Sequence, residues 1–308
     1  MESNLKISLA IVLPVYNALE YTQRCLKYLK ETISYFELPN LNIRVIIVDD
    51  GSTDGTATWI RENYPEIIIC KGDGNLWWSG GVNMGIRYAK DNLKSDYILL
   101  WNNDVRPEKN YFIELNRILT LNPVNSIVLS EVYIESSSGT IISSKGGNFN
   151  PVTGKLTLIG FGLPLESYVN SNQTINWFPG MGTAIHKSVF DDIGYFDDVN
   201  FPQYKGDADF GLRAFYAGYN LVLYPSLKIW NDRDNTGYGN EGSWKEFFKS
   251  LTTTKSNNNI YRDLLFYSKY GKSIRCYGEV IKKYFMHIGG FFKWKLLGIF
   301  GMKREQKY

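Results

Sequence analysis

Residues 45–54 read V-I-I-V-D-D-G-S-T-D, an apolar run that stops abruptly in two carboxylates and a Gly-Ser-Thr turn. Four apolar residues without polar alternation describe a strand buried on both faces. The polar stop describes the loop at its C-terminal end. Upstream, I-S-L-A-I-V-L-P-V-Y-N at 7–17 has the same form, and between the two lie Tyr21, Cys25, Leu29 and Ile33 at a spacing of four, the stripe of an amphipathic helix. Downstream, apolar runs at 67–70, 97–101 and 127–132 alternate with helical periodicities at Val82, Ile86, Ala89 and Leu93 and at Phe112, Leu115 and Leu119. This largely alternating order of strands and helices predicts an α/β fold with a mostly parallel sheet, helices on both faces and right-handed crossovers. A Ser-, Gly- and Thr-punctuated stretch from about 133 to 168 predicts inserted hairpins, after which a helix at 207–217 and a strand at 221–224 restore the α/β pattern.

The 308 residues, 44% hydrophobic and 21% charged, are those of a globular chain rather than a disordered one. Cys25, Cys70 and Cys276 form no C-x-x-C pair, which argues against a thiolate zinc site or a disulfide framework and fits a reducing compartment. His186 and His287 are too far apart in sequence to form a motif, so a metal, if used, is expected on oxygen ligands. Glu2 and Lys6 surround a short apolar run ending at Pro14, which reads as a first strand and not as a signal peptide. No uncharged stretch reaches the ~18 residues of a membrane-spanning helix.

Charge is unevenly distributed. Residues 245–308 hold 14 Lys/Arg against 4 Asp/Glu, while residues 1–244 hold 20 against 27. The basic segment also carries Phe247, Phe248, Phe266, Tyr267, Tyr284, Phe285, Phe291, Phe292, Trp294 and Phe300. Aromatic residues among lysines on amphipathic helices suit the interface of an anionic membrane, and packing back onto the body is the alternative. No nucleic-acid-binding motif accompanies the charge, so nucleic acid is not expected as a partner.

Three strand ends finish in polar turns: Pro14, Val15, Tyr16 and Asn17; Asp49 and Asp50 with the Gly-Ser-Thr-Asp that follows; and Asn102, Asn103 and Asp104. Each alone also makes a good turn. Open α/β sheets bind ligands outside the strand carboxyl ends, however, so the three are expected to meet at one edge. Between the second and third, G-D-G-N-L-W-W-S-G-G-V-N-M-G at 72–85 is a glycine-rich loop that opens a helix. Helix N-termini attract phosphate, and Gly80, Gly81 and Asn83 join the candidate donor site on that ground. The spacing fits neither the P-loop nor the dinucleotide fingerprint, which argues against kinase and dehydrogenase readings.

In this order, P-V-Y-N at 14–17, V-D-D-G-S-T-D at 48–54, G-N-L-W-W-S-G-G-V-N-M-G at 74–85, L-W-N-N-D at 100–104 and G-D-A-D-F-G-L-R-A at 206–214 resemble the family 2 glycosyltransferases of GT-A fold. The resemblance is particularly to their bacterial rhamnosyltransferase-like branch, over about residues 7–235. It implies a Rossmann-like GT-A catalytic domain at 1–240, with a nucleotide-sugar half to about 130 and an acceptor half from about 131, followed by a basic helical tail at 241–308. Asp50, with Asp49, would hydrogen-bond the base or ribose of a nucleotide sugar, and Tyr16 would pack on the base. Pro14, Asn17, Asn102 and Asn103 complete the donor set. Asp104 stands at the metal-binding carboxylate of a D-x-D element for Mg²⁺ or Mn²⁺, and Asp232 is a substitute at a position where many relatives place a histidine. Asparagines where an acidic pair is common put strict metal dependence in question.

Asp207 would be the general base of an inverting transfer, with Asp209 its rival or an acceptor contact. Trp177, Gly180, Met181 and Gly182 match the acceptor-side turn, with Trp77 and Trp78 facing them. The implied activity moves a sugar from a UDP-, dTDP- or GDP-sugar to a hydroxyl of a glycan or lipid-linked acceptor in bacterial surface polysaccharide synthesis. Its expected setting is the cytoplasmic, inner face of the plasma membrane. The competing readings are a non-catalytic sugar-nucleotide or glycan-binding protein and a nucleotidyltransferase, the latter lacking a basic glycine-rich loop after the first strand.

Overall fold

From Leu9 to Leu13 every residue of β1 (Ile7–Val15) is fully buried, as its unbroken apolar sequence demands. Its two faces feed different cores. Leu9, Ile11, Leu13 and Val15 join one cluster and Ala10 and Val12 the other, the alternation that a pleated strand imposes. The structure, a computed structural model, describes residues 6–121, 124–137, 139–169, 173–232 and 243–299. β1 pairs in parallel with β2 (Leu41–Asp49) and β4 (Tyr97–Leu100), and β2 with β3 (Ile68–Lys71). α1 (Leu19–Tyr35), α2 (Thr56–Asn63) and α4 (Tyr111–Leu121) contribute Cys25, Leu29, Ile60, Phe112 and Leu115 to the first cluster. α3 (Trp77–Asp91) contributes Val82, Ile86 and Ala89 to the second.

The remainder of the sheet comes from β5 (Val105–Pro107), β6 (Ser126–Ser136), β7 (Gly139–Ser144), β10 (Thr183–His186) and β11 (Asn220–Asn231). The short strands β8 (Gly147–Phe149) and β9 (Leu156–Leu158) stand apart from it. Among the described residues the order is β3-β2-β1-β4-β10-β6-β11-β5, with β7 hairpinned onto β6. β10 runs antiparallel to β4 and β6, β5 runs antiparallel to β11, and β11 runs parallel to β6. α5 (Lys187–Ile193) and α6 (Gly206–Tyr216) cover the second core through Phe190 and Phe210. The mixed, mostly parallel sheet with helices on both faces is the architecture that the alternation predicts.

Two expected elements have other bounds than the sequence suggests. The strand expected at 221–224 is only the start of β11, which continues past a register shift between Tyr224 and Lys228. Pro225 lies within that shift and has no N–H to give to a ladder. α3 begins at Trp77, before its periodicity becomes visible at Val82, because Trp77 at φ 57° turns the chain and Asp50 receives its N–H.

The chain divides into two compact units, one of residues 1–148, 158–202 and 206–233, the other of 149–157, 203–205 and 234–308. The second contains α7 (Trp244–Ser250), α8 (Ile260–Tyr270) and α9 (Cys276–Ile299). Within it Phe247, Phe266, Tyr267, Tyr284 and Phe291 are buried, whereas Phe248, Phe285 and Phe292 are exposed. The aromatic residues of the basic segment therefore serve two environments. Asp263 of this unit, fully buried, receives Lys205 at 2.6 Å, Lys283 at 2.7 Å and the Tyr284 hydroxyl at 2.7 Å. The boundary expected at 240/241 and the side chain of Phe300 lie outside the described residues.

Candidate active site

The order β2-β1-β4 sets the three polar strand ends side by side. Asn17, held at φ 46°, donates its backbone N–H to Ser52 Oγ at 2.9 Å and accepts the Thr53 N–H on Oδ1 at 2.7 Å. Asp54 receives the Leu19 N–H at 2.9 Å, tying the start of α1 to the loop after β2. Asp49 accepts the Ser52 N–H at 2.8 Å, and Asp50 accepts those of Gly74 at 2.8 Å and Trp77 at 3.1 Å. These carboxylates shape the loops from below. Tyr16 projects from the same edge with 53% of its surface exposed.

Asp104 follows β4 at this edge. The β5–β11 ladder, with Asn231 opposite Val105, ends in a bond from the Asp232 N–H to the Asp104 carbonyl at 2.8 Å. Two carboxylates distant in sequence thus become neighbours. Burial pushes the Asp104 carboxyl up to about 6, its own backbone N–H offsets part of that, and the negative Asp232 adds to the rise. Its Oδ1 is buried without a hydrogen-bond partner. A divalent cation would relieve both the repulsion and the orphaned oxygen, and hard cations bound with substrate phosphates often use only one or two carboxylates. The pair therefore fits Mg²⁺ or Mn²⁺. No group of three or more His, Cys, Asp or Glu that could hold a metal occurs among the described residues.

The turn bearing Asp104 is fastened on several sides. The Trp78 indole N–H donates to Asn102 Oδ1 at 3.0 Å, the Asn103 amide to Thr22 Oγ1 at 3.3 Å, and the Cys25 thiol to the Asn102 carbonyl at 3.7 Å. Burial pushes that thiol up to about 12, which leaves it protonated. The asparagines in this element therefore act as posts for the turn.

Asp207 heads α6 and is half-buried, its Oδ1 accepting the Ala208 N–H at 2.8 Å. Gly206 packs so closely that a Cβ there would lie 2.3 Å from Ser79 Oγ, and Ser79 itself donates to the carbonyls of Phe201 and Pro202. The N-terminal ends of α6 and α3 are joined at that point. The Gly206–Ser79 packing and the Trp78–Asn102 hydrogen bond thus tie the head of α6 to the turn that bears Asp104.

Several residues expected at the site are engaged in packing or internal hydrogen bonds. Asp209 is fully buried and paired with Arg213 at 3.0 Å, while the same guanidinium donates to the Ile193 and Tyr195 carbonyls. Asn83, 1% exposed, spends its amide on both backbone groups of Phe196. Gly80 and Gly81 lie inside α3, where Gly81 lets the helix approach Pro14 and the Gly80 N–H is bonded to Leu76. Trp177, 7% exposed, fills the space over Gly147 and Gly211. Gly180 makes room for the Trp78 ring, and Gly182 lies against Ser130 and Ile229 with its carbonyl held by Ser130. Met181 packs partly into the first core.

Sequence reasoning missed Arg24 of α1, whose guanidinium sits 4.7 Å above the Tyr21 ring and 3.4 Å from Asp232. Its spacing puts it off the apolar stripe, like any exposed helical arginine. A separate cleft of about 560 Å³, lined by Tyr35, Phe36, Glu108, Lys109, Pro225 and Lys228 among others, contains none of the expected site residues.

Against known proteins, residues 10–191 match the family model described as glycosyl transferase family 2. The chain belongs to this family. Curated members similar to it include the low-salt glycan biosynthesis hexosyltransferase Agl10 of Haloferax volcanii, 24% identical over 176 residues, which cover 57% of this chain and 54% of that protein. An N-acetylglucosaminyl-diphospho-decaprenol L-rhamnosyltransferase of Mycobacterium tuberculosis is 25% identical over 204 residues, 61% of this chain and 66% of its own length. The family 2 chain thus spans between half and two thirds of these relatives. Among solved structures, S. aureus TarS 1–349 in complex with UDP aligns with TM-score 0.53 at 15% identity, covering 73% of this chain and 60% of that one. At that identity the likeness is one of fold, and it is the GT-A-like fold implied by the sequence.

Proposed function

We propose that this chain is an inverting glycosyltransferase that moves a sugar from a nucleotide-diphosphate donor to a hydroxyl of a glycan or lipid-linked acceptor. The observation that carries the reading is the juxtaposition of Asp104 and Asp232 at the carboxyl edge of the sheet, in a family 2 chain, with the loops of β1 and β2 alongside. Relatives named for hexosyl and rhamnosyl transfer to glycan or diphospho-lipid acceptors support the choice of substrates, as does the UDP held by TarS.

Asp104 and Asp232 would hold Mg²⁺ or Mn²⁺, which when bound supplies Lewis-acid stabilisation of the departing diphosphate. Tyr16 offers an exposed ring to the base. Asp50 keeps lone pairs for the base or ribose while its backbone bonds fix the loop. Asp207 takes the proton of the acceptor hydroxyl as that oxygen attacks the anomeric carbon from the side opposite the leaving nucleotide, so the configuration inverts. A positioned base contributes ~10²–10⁴-fold in rate.

Peripheral attachment to the inner face of a bacterial plasma membrane, during surface polysaccharide synthesis, completes the proposal. No described helix is long and apolar enough to cross a membrane. On α9, however, Ile281, Phe285, Ile288, Phe292 and Leu296 are exposed along one helical face, with Lys282, Lys293 and Lys295 in the same helix. An apolar stripe flanked by lysines suits an anionic headgroup boundary.

A thermal-shift panel of UDP-, dTDP- and GDP-sugars, each with and without Mn²⁺, tests the donor site. Stabilisation by one class of nucleotide sugar, larger with Mn²⁺, is expected, and no stabilisation by any of them would contradict the reading.

A further inference from the structure

The carboxylate pair has a cation already beside it. α1 is bound to the turn at 102–104 through Thr22 and Cys25, and Arg24, between those two residues, reaches Asp232 Oδ2 at 3.4 Å. Among the described residues it is the one cation within salt-bridge distance of either Asp104 or Asp232. Both side chains of the pair are open to water, 44% and 51% exposed. Such a pair is held weakly and is exchanged at little cost. A guanidinium is also the side chain best matched to phosphate oxygens, which it binds through two parallel N–H donors.

We propose that Arg24 is a second determinant of donor binding, one that occupies Asp232 while the site is empty and turns to the diphosphate when the donor arrives, releasing Asp232 to the metal. The inference rests on the glycosyltransferase reading above for the presence of a diphosphate. It makes a demand of opposite sign on two ligands. Arg24 repels a divalent cation and competes with it for Asp232, whereas it attracts the phosphates.

The test compares wild type, Arg24→Met and Arg24→Lys. Mn²⁺ alone is titrated by electron paramagnetic resonance. UDP, dTDP, GDP and inorganic pyrophosphate are titrated calorimetrically at saturating Mn²⁺. Arg24→Met is expected to bind Mn²⁺ alone about two- to fivefold more tightly, the scale of an exposed ion pair, and the preferred nucleotide diphosphate and pyrophosphate about tenfold or more weakly, the scale of a charge-assisted hydrogen bond. Arg24→Lys, which keeps the charge but loses the fork, should leave the Mn²⁺ titration near wild type and weaken the diphosphate by an intermediate factor. In an Asp232→Asn background, Arg24→Met should no longer improve Mn²⁺ binding.

A purely structural Arg24 would move neither titration, or both in the same direction, and either result overturns the inference. If wild type binds Mn²⁺ with a nucleotide diphosphate and Arg24→Met is indifferent, the inference fails and the donor site stands. If wild type binds none of the probes, the glycosyltransferase reading fails with it.

Discussion

Gly180→Ala probes how the turn carrying Asp104 is held. An ideal Cβ at this position would lie 2.2 and 2.3 Å from Cζ2 and Cη2 of Trp78, against ~3.5–4.0 Å for carbons in ordinary contact. The ring must retreat by more than about 1 Å. It is pinned by its N–H to Asn102 at 3.0 Å and by an edge contact with Phe196, so the bond to Asn102 cannot survive that retreat. Overpacking costs ~1–3 kcal/mol and the lost hydrogen bond ~1 kcal/mol. At roughly 2–4 °C per kcal/mol for a domain of this size, the melting temperature should fall by about 4–16 °C.

Release of Asn102 loosens the turn two residues from Asp104, and a misplacement of ~1 Å at a reacting centre can cost ~10²-fold. We therefore expect kcat/KM for nucleotide release from the donor to fall about 10- to 100-fold. Gly180→Ala/Trp78→Phe, which removes the two clashing atoms and leaves the Asn102 bond unmade, should recover most of the stability and little of the activity. Wild-type melting and wild-type kinetics in Gly180→Ala would refute the reasoning. So would full recovery of activity in the double variant.

Asp209→Asn leaves the Arg213 guanidinium without its buried counter-charge, and such changes cost ~3–5 kcal/mol; denaturant unfolding should show that loss, while donor binding by the folded fraction persists. In the second unit, burial alone would raise the Asp263 carboxyl, but the charges of Lys205 and Lys283 and their hydrogen bonds outweigh it and hold the group below its ordinary value. Burial, and Lys205 as a like charge, push Lys283 down as well, so one carboxylate is shared by two ammonium groups. Because the folded value of Asp263 is depressed, its stabilisation is fully present above the unfolded pKa of ~4 and is lost as pH falls through the folded one. Unfolding followed between pH 5 and 2 should show that loss in wild type and a shallower one in Asp263→Asn. Cys25, buried and with its thiol pushed up to about 12, should resist a thiol reagent at pH 8 in the native protein and react once denatured.

Most of the fold was legible because strands buried on both faces declare themselves as apolar runs. β1 and β4 coincide with such runs, β2 ends in one, and β6 contains apolar stretches on either side of buried Ser130 and Glu131. α2 and β5 were not legible, being short, and the length of β11 was hidden by the proline at its register shift. The site was legible in the same uneven way. Polar residues closing apolar runs were expected at one edge, and the β2-β1-β4 order sets those strand ends side by side, since chain order and sheet topology fix where strand ends lie.

Spacing alone could not say which polar groups face a ligand and which face protein. Asp207 and Asp209 lie two residues apart on one helix, yet the first is half-buried at its head and the second points inward to Arg213. Trp177 and the glycines at 80, 81, 180 and 182 look like a binding surface in sequence, and in the structure each sits in close packing. The Asp104–Asp232 contact required the antiparallel β5–β11 ladder, and a three-residue strand leaves almost no periodic trace.

The most direct measurement is turnover of Asp207→Asn with the nucleotide sugar that stabilises wild type, in the presence of Mn²⁺ and with donor affinity measured alongside. Loss of ~10²–10⁴-fold in kcat with donor affinity unchanged is expected if this carboxylate takes the acceptor proton. Turnover close to wild type would contradict the proposed chemistry at its centre.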